Sequence, residues 1–322
     1  MNIYLAPMEG ITNYIYRNAY EKYYGNIDKY FTPFIANKNL KTKELFEVLP
    51  ENNKVNCLIP QILGNKSETV LSIINQLKEL GYKEVNLNFG CPSKTVTTKR
   101  RGAGILADLN NLTKFMDEIF EKSELDISIK TRLGIESLNE WPDILKIYSK
   151  YPIKELIIHA RLLEEQYKGL PHIECFKEAQ NTLNIPLCYN GNIDDEESLN
   201  KLLKICPQTS SIMIGRGALK NPELSFKLRQ ITSSVSTTIN MGQTTNHPGT
   251  VKSSDSFQTF KAFHNEILEN YIKIMSGDTP TLFKMKELWS FWGTYLNLSP
   301  KDLKPIRKAK TIKEYEIAIL LI

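Results

Sequence analysis

One cysteine stands where a thiol could transfer a proton. In the segment Asn86–Leu106, NLNFGCPSKTVTTKRRGAGIL, an alternating apolar pattern stops at Gly90, and Cys91 and a proline follow. Four cations come next, which are Lys94, Lys99, Arg100 and Arg101. A thiol with a pKa of about 8.5 is mostly protonated at neutral pH and can act as a general acid. The alternative is that Cys91 is a small apolar residue in a turn. The elements around it are needed to choose between these two interpretations.

Eight short segments rich in β-branched and aromatic residues recur along the first two-thirds of the chain. They begin at Ile3, Lys29, Asn56, Glu84, Asp126, Glu155, Pro186 and Ser211. Helical patterns lie between most of them, and one runs from an expected N-cap at Ser67 to Gly81. The alternation predicts an α/β fold, a (β/α)8 TIM barrel. A doubly wound open sheet would need a glycine-rich phosphate turn after its first strand, and APMEG is not one.

Each predicted strand is apolar at its start and polar at its carboxyl end. In a TIM barrel those ends meet at the face where active sites are built. Alternation adds that Asn86 and Asn88 share one face of their strand, as Ser128, Lys130 and Arg132 do in the next. We therefore predict one polar pocket at these strand ends, lined by Glu9, Gln61, Asn88, Lys130, Arg132, His159, Arg161, Asn190, Gly215 and Arg216.

Glycines mark the ends of the last two predicted strands, in Asn190–Asn192 and in Gly215–Gly217. Barrels often bind a phosphate group at this place, where backbone N–H groups point towards it. Glycine lets the backbone approach the ligand closely, and Arg216 could add a charge-assisted hydrogen bond. The two tripeptides together favour a phosphorylated ligand.

Length and composition limit the class of protein. The 322 residues, 41% of them hydrophobic, suffice for a large barrel with an appendage. The cysteines at positions 57, 91, 175, 188 and 206 form no CxxC pair, and we expect neither disulfides nor a metal site. No apolar run reaches the roughly 20 residues that span a bilayer, and the N-terminus lacks a signal-peptide pattern. We expect a cytoplasmic protein without membrane contact, whose net charge of +5 permits a polyanionic partner.

Composition also predicts three parts: a barrel domain over 1–230, a Ser/Thr-rich linker over 231–256 and a smaller all-α domain over 257–322. In the last part aromatic residues recur at helical spacing, and we expect them to form its core. The segment Lys301–Lys313 carries six cations and one acid. Such a run is either a solvated surface or an RNA-binding surface, and both interpretations stay open.

Seven motifs, in order, resemble those of the bacterial tRNA-dihydrouridine synthases and lean towards their DusC-like branch. They are LAPMEGITNYIYR, NLNFGCPSKTV, RRGAGILAD, IKTRLG, IIHAR with YKG, YNGNI and IGRGAL. That family consists of FMN-dependent TIM barrels with a C-terminal helical domain, which reduce the C5–C6 double bond of a uracil base in folded tRNA. The resemblance covers the barrel and continues weakly into GDTPTLFKMKELWSFW.

The resemblance implies a role for each matched residue. Cys91 would protonate C5 of uracil while hydride from reduced FMN reaches C6, with NADPH or NADH as reductant. The expected FMN contacts are Pro7, Met8, Glu9, Gln61, Lys130, His159, Asn190, Gly191, Asn192, Gly215 and Arg216. The expected contacts to tRNA, the partner of a monomeric enzyme, are Asn88, Arg132, Arg161, Lys94, Lys99, Arg100, Arg101, Lys304, Arg307, Lys308 and Lys310. Asn192 departs from the family pattern, in which an acidic residue is usual there, and Ala160 and Leu162 are atypical too.

The basic segment Lys94–Arg101, here called the lid, conflicts with an acid role for Cys91. Positive charge stabilises a thiolate, which cannot donate a proton. One hypothesis is that the lid is a mobile loop that folds over RNA, whose phosphates then neutralise its cations.

Two other functions fit parts of the sequence. A dihydroorotate dehydrogenase-like FMN barrel would act on a small molecule, but that family has a Pro-Asn step where this chain has Gly-Cys-Pro. A barrel that binds RNA without flavin or catalysis is the second, and the complete set of strand-end residues argues against it. The absorption spectrum of the purified protein distinguishes a barrel without flavin from the two flavin-dependent enzymes.

Overall fold

The computed structural model describes residues 1–237 and 256–322, and in this part of the chain nine strand segments form one parallel sheet. The order across the sheet is β3-β2-β1-β9-β8-β7-β6-β5-β4. The strands are β1 Asn2–Leu5, β2 Lys29–Phe31, β3 Leu58–Ile59, β4 Gln61–Ile62, β5 Glu84–Phe89, β6 Asp126–Thr131, β7 Leu156–His159, β8 Leu187–Asn190 and β9 Ser211–Ile214. Because β3 and β4 adjoin in the chain, the two edges meet in a nearly closed barrel, and the predicted TIM barrel is confirmed.

Proline splits the third barrel strand. β3 pairs with β2 through Leu58 and Tyr30, whereas β4 pairs with β5 through Gln61 and Asn86. Pro60 lies between the two segments and has no N–H to donate to a ladder. Its carbonyl still accepts the Asn86 N–H at 2.9 Å, so the barrel stays connected. The prediction of one uninterrupted strand from Asn56 was therefore wrong at this proline.

Helices surround the barrel and form the C-terminal region. They are α1 Tyr14–Tyr23, α2 Thr42–Val48, α3 Ser67–Glu79, α4 Lys94–Thr97, α5 Leu109–Lys122, α6 Trp141–Tyr148, α7 Ile173–Thr182, α8 Glu196–Ile205, α9 Arg216–Lys220, α10 Leu224–Thr237, α11 Ser256–Ile274, α12 Asp278–Tyr295, α13 Leu303–Lys308 and α14 Ile312–Ile319. The expected N-cap of α3 was one residue off, because Lys66 occupies the cap and Ser67 is already helical.

The inside of the barrel is packed, which leaves only its carboxyl end for a site. A buried cluster fills it with Tyr4, Ala6, Phe31, Ile59, Ile157, Cys188 and Met213. At the amino end the Tyr4 hydroxyl donates to Glu155 at 2.7 Å, and Lys29 pairs with the same carboxylate at 2.9 Å. As in other barrels of this class, the interior is a core and not a pore.

The C-terminal helices pack against the barrel. α11 lies along α1, and α12 lies against α9. Phe260, Phe263, Trp289 and Trp292 are buried, which confirms that these aromatic residues form a core. α10 continues to Thr237, inside the segment that the sequence assigned to the linker, and positions 238–255 of that segment lie outside the described residues. Among the helices described, none is long and apolar enough to cross a membrane.

Candidate active site

A cavity of about 90 Å³ opens at the carboxyl ends of the strands. It collects most of the predicted cofactor residues, because β1, β6, β7, β8 and β9 all end there. Those that line it are Pro7, Met8, Lys130, His159, Asn190, Gly191, Asn192, Gly215 and Arg216. The strand-end pattern in the sequence thus corresponds to one place in the fold.

The cavity carries basic groups whose charge is only partly balanced. In the described part of the chain, the Lys130 ammonium has neither a hydrogen bond nor an ion pair, and burial, aided by Arg132, lowers its pKa to about 8. Burial and the neighbouring cations hold the pKa of His159 well below its usual range, so its ring is neutral and can accept from Arg161 at 3.3 Å. Arg216 is 3.5 Å from the Asn192 side-chain oxygen. Such a wall attracts an anionic group.

Two glycines bring bare backbone against this wall. A Cβ at Gly217 would lie 2.7 Å from the Asp194 carboxylate and the Ile193 carbonyl, and a Cβ at Gly191 would lie 3.0 Å from the Tyr189 hydroxyl. No side chain fits at such separations, so both positions require glycine. The two loops after β8 and β9 therefore approach each other closely at Gly217, and binding of a phosphate group there stays a prediction.

A larger cavity of about 560 Å³ lies between α7 and α8 and shares the segment 191–194 with the first. Its lining includes neither Lys130 nor His159 nor Arg216. We place the site in the smaller cavity because the basic groups and the strand ends converge there, which is where this fold performs catalysis.

Cys91 is held in place by a chain of buried amides. The Asn88 side-chain oxygen accepts from the N–H groups of Gly90 at 3.0 Å and Cys91 at 2.9 Å. Asn88 in turn donates to Gln61 at 2.7 Å, and Gln61 donates to Asn86 at 2.9 Å. Neither Gln61 nor Asn88 lines the cavity. In this arrangement both residues orient the turn that carries the thiol.

Gly102 and Ala103 also shape this turn, and the sequence analysis gave them no role. The Ala103 N–H donates to the Cys91 carbonyl at 3.0 Å. Gly102 has a φ of +56°, and a Cβ there would lie 2.7 Å from the same carbonyl. The motif RRGAGILAD carried this signal in its two glycines, since glycine is typical of left-handed backbone and of a close backbone approach.

The thiol of Cys91 is protonated at neutral pH. Burial raises its pKa, and this effect exceeds the lowering by the Ser93 N–H, Lys130 and Arg132. The cations that act on it are thus at the barrel mouth and not in the lid. The direction of this shift favours the protonated thiol, as an acid role requires.

The lid is a helical turn fixed to the barrel and not an irregular loop. It contains α4, whose Val96 is buried. Asn65 donates to the Lys99 carbonyl at 3.0 Å, and Arg100 pairs with Asp108 at 3.2 Å. Lys94, Lys99 and Arg100 are exposed and Arg101 is half-buried, so the lid presents a basic surface beside Cys91.

Arg132 and Arg161 do not lie on an RNA-facing surface, contrary to the expectation that they contact tRNA. Both are fully buried. Their guanidinium groups donate to backbone carbonyls, Arg132 at 2.7–2.9 Å and Arg161 at 2.7 and 3.3 Å. The accepting residues are Gly90, Leu162, Gln166, Lys168 and Gly169. The two arginines therefore fix the loop after β7 and the turn before Cys91.

That loop places Tyr167 over the cavity. The Tyr167 ring is 51% exposed, and its centroid lies 4.4 Å from the Arg216 guanidinium and 6.0 Å from the His159 ring. A cation over an aromatic face is attracted by the ring quadrupole. YKG was among the matching motifs, but the sequence offered no reason to place this tyrosine at the site.

Two further groups of predicted residues lie apart from the cavity. Glu9 does not line it, and its carboxylate is exposed and lies 3.8 Å from the Lys43 ammonium, so the contact of Glu9 with the cofactor stays a prediction. In α13, Leu303 and Ile306 are buried and the cations face solvent. The exposed ones in and after this helix are Lys304, Arg307, Lys308 and Lys310.

Comparisons with known proteins agree with this geometry. A family model described as dihydrouridine synthase matches residues 4–279. A tRNA-dihydrouridine(16) synthase from Pseudomonas syringae is 31% identical over 238 residues, which is 71% of this chain and 74% of the relative. A second, from Escherichia coli O157:H7, is 32% identical over 70% of this chain and 74% of its own length. The solved structure of morphinone reductase has a TM-score of 0.51 at 10% identity, over 71% of this chain and 85% of its own, and shows the fold alone.

Proposed function

Because the chain belongs to the dihydrouridine synthase family, we propose that it reduces uridines in tRNA to 5,6-dihydrouridine. The observation that carries the proposal is the pairing of two features at one barrel mouth. One is a half-buried thiol on Cys91 whose pKa burial raises, and the other is a cation on Lys130 that has no ion-pair partner among the described residues and lowers the pKa of that thiol. The first can deliver a proton and the second can stabilise negative charge.

We propose FMN as the cofactor, held by Lys130, His159 and Arg216 with the glycine loops after β8 and β9. When bound and reduced, the cofactor would supply hydride chemistry for C6 of uracil, and NADPH or NADH would be the reductant. The donor set fits, because it offers positive charge and bare backbone to a phosphate group. Ligand sites measure roughly 300–1,000 Å³, so the cavity of about 90 Å³ accommodates part of an FMN, and its basic lining favours the phosphate end.

The residues of this chain supply charge, orientation and a proton. Lys130, with a pKa of about 8, is mostly protonated at neutral pH and favours negative charge on its ligand. The amide chain through Gln61 and Asn88 holds Cys91 at the end of β5. Its Sγ–H bond breaks as the proton passes to C5, and solvent restores the thiol after each turnover.

Folded tRNA is the substrate in this proposal. A uracil in structured RNA reaches a pocket only when it is flipped out, which costs a few kcal/mol. Phosphate contacts to basic side chains offset that cost. The exposed cations of the lid and of the segment Lys304–Lys310 are available for such contacts. A cytoplasmic, monomeric enzyme stays our prediction.

The experiment has two readouts on one purified sample. The absorption spectrum reports bound flavin, and mass spectrometry of digested tRNA, incubated with NADPH or NADH, reports dihydrouridine. We expect a yellow protein that converts unmodified tRNA and hardly acts on free uridine. A colourless protein that FMN cannot reconstitute would refute the flavin assignment. A yellow protein that acts on dihydroorotate and leaves tRNA unchanged would favour the small-molecule alternative.

A further inference from the structure

α12 contacts both the barrel mouth and the basic C-terminal segment through two lysines. The Lys284 ammonium donates to the Gly10 carbonyl at 2.6 Å. Two residues further on, the Lys286 ammonium donates to the Ala309 carbonyl. α12 also packs against α9, which begins at Arg216. One helix thus joins the cavity wall to the cations that we assign to RNA binding.

The contact at Gly10 holds the loop that forms one wall of the cavity. Gly10 follows Pro7, Met8 and Glu9 and has a φ of +78°. The turn is closed by the fully buried Thr12, whose N–H donates to the Met8 carbonyl at 3.0 Å and whose hydroxyl accepts from the Met8 N–H at 2.8 Å. Such a closed turn moves as one unit, so a bond to its Gly10 carbonyl fixes Met8 at the cavity as well.

Lys284 is well placed to exert that constraint. Its side chain is 22% exposed, and Glu287, one turn along α12, pairs with it at 3.2 Å. The carboxylate keeps the ammonium oriented along the helix. A hydrogen bond from a charged donor is stronger than a neutral one, and partial burial protects it from water and salt.

The contact at Ala309 fixes the other end. Ala309 is buried and lies between the exposed Lys308 and Lys310. A second bond ties the same segment to α12, since the Ile312 N–H donates to the Asp278 carboxylate at 3.0 Å. The cations after α13 therefore have a set position relative to α12, and through Lys284 relative to the turn at Met8.

We infer that Lys284 is a positioning residue, which sets the Pro7–Gly10 wall of the cavity at the distance where a base delivered by the C-terminal cations meets it. This inference rests on the proposed function. Lys284 itself does not line the cavity. It acts through Gly10, whereas Lys286 acts on the RNA-binding side, so the two lysines of one helix should affect different kinetic constants.

The test compares variants of the holoenzyme with tRNA as substrate. Lys284→Met removes the donor at similar size, and Lys284→Arg retains a donor. Lys286→Met breaks the contact to Ala309, and Lys273→Met is a matched control at an exposed lysine of α11. Flavin content, kcat and KM for tRNA are measured for each variant.

Lys284→Met should lower kcat about tenfold, as expected for one charged hydrogen bond, and leave KM for tRNA near the wild-type value. Lys284→Arg should restore most of kcat. Lys286→Met should raise KM for tRNA several-fold and leave kcat, while Lys273→Met should change neither. If Lys284→Met does not fold, Gly10→Ala disturbs the same contact, since its Cβ would lie 3.3 Å from the Lys284 ammonium; because its φ of +78° also strains the turn, an unchanged kcat is the informative result in this variant.

An unchanged kcat in both Lys284→Met and Gly10→Ala would overturn the inference. So would a rise in KM alone in Lys284→Met, because it would assign Lys284 to the RNA surface. Failure of the proposed function is distinguishable, since wild-type protein would then make no dihydrouridine before any variant is tested.

Discussion

Replacing Lys130 with methionine should stabilise the flavin-free protein. In the folded chain this ammonium is partly buried and has no ion-pair partner within the described ranges, so its charge is unfavourable there. Methionine has a similar length and carries no charge. The Lys130 ammonium, which we expect to contact the cofactor, therefore lowers the stability of the apoprotein.

The size of that cost follows from the pKa. The lowering of the pKa of Lys130 from 10.5 to about 8 corresponds to a loss of about 3 kcal/mol in the free energy of unfolding. This uses about 1.4 kcal/mol for each tenfold change in the protonation equilibrium. Solvent reaches part of the side chain, which reduces the expected gain to about 2 kcal/mol.

The pH dependence has a definite sign. Below pH 8 the lysine is charged in both the folded and the unfolded chain, so the whole cost applies. Between about 8 and 10.5 the folded lysine loses its proton first, and the stability of the wild type rises towards that of the variant. The difference between the two proteins should therefore be largest at neutral pH and shrink as the pH approaches 10.5.

Urea unfolding of the two apoproteins at neutral and alkaline pH measures this difference. Lys146→Met, at an exposed lysine of α6, controls for the general effect of removing a cation. Added FMN should stabilise the wild type and hardly affect Lys130→Met, because a ligand stabilises only the fold that binds it. A variant less stable than wild type at neutral pH, or a difference that grows at alkaline pH, would refute the reasoning.

Two other variants test the binding surfaces. Arg216→Ala should lose flavin on dilution and dialysis, because a charged hydrogen bond to phosphate is worth about 1.5–3 kcal/mol; Lys220→Ala, at the exposed end of α9, should retain it. Replacing Arg307, Lys308 and Lys310 with alanine should weaken tRNA binding and flatten its salt dependence. Each lost phosphate contact lowers the log–log slope by up to about 0.9 for duplex-like RNA, and the flavin spectrum should not change.

Full flavin occupancy in Arg216→Ala after dialysis would show that Arg216 does not bind the flavin phosphate. For the triple variant, the matched control removes three exposed cations from the α6–α7 side of the barrel, namely Lys146, Lys150 and Lys177. Equal salt slopes in the two triple variants would leave the lid to account for RNA binding alone.

The strand positions could be predicted because alternation and polar carboxyl ends follow directly from barrel geometry. β5 and β6 were found where Glu84 and Asp126 begin their apolar alternations. The break at Pro60 was less predictable, because a proline is tolerated at a strand edge and its effect depends on which neighbour each half pairs with. That pairing is a property of the closed sheet.

The sequence predicted that polar strand-end residues meet at the barrel mouth, but not which of them line the cavity or which partners they have. Lys130 and Arg132 have the same signal in the sequence, since both are cations on one face of one strand. The structure distinguishes them, because carbonyls of the loop after β7 accept hydrogen bonds from Arg132, whereas the Lys130 ammonium has no acceptor among residues 1–237 and 256–322. Which buried donors find acceptors depends on a loop path that no local pattern encodes.

The lid shows the same limit. Its four cations correctly predicted a basic surface. They did not predict that burial would change the pKa of the Cys91 thiol more than nearby positive charge does. Cys91 follows β5 at the barrel mouth, and desolvation of a thiolate there exceeds the attraction of Lys130 and Arg132. Burial is a three-dimensional quantity, so the sequence could not rank the two effects.

The role of Cys91 as proton donor is the central claim, and a single-turnover measurement tests it most directly. Enzyme reduced in the absence of oxygen is mixed with tRNA, and reoxidation of the flavin is followed by absorption in the wild type and in Cys91→Ala. We predict that the variant binds flavin and tRNA as tightly as the wild type and reacts about 10²–10⁴-fold more slowly, the usual contribution of a general acid. Reoxidation and dihydrouridine formation at the wild-type rate in Cys91→Ala would contradict the account and return Cys91 to a structural role.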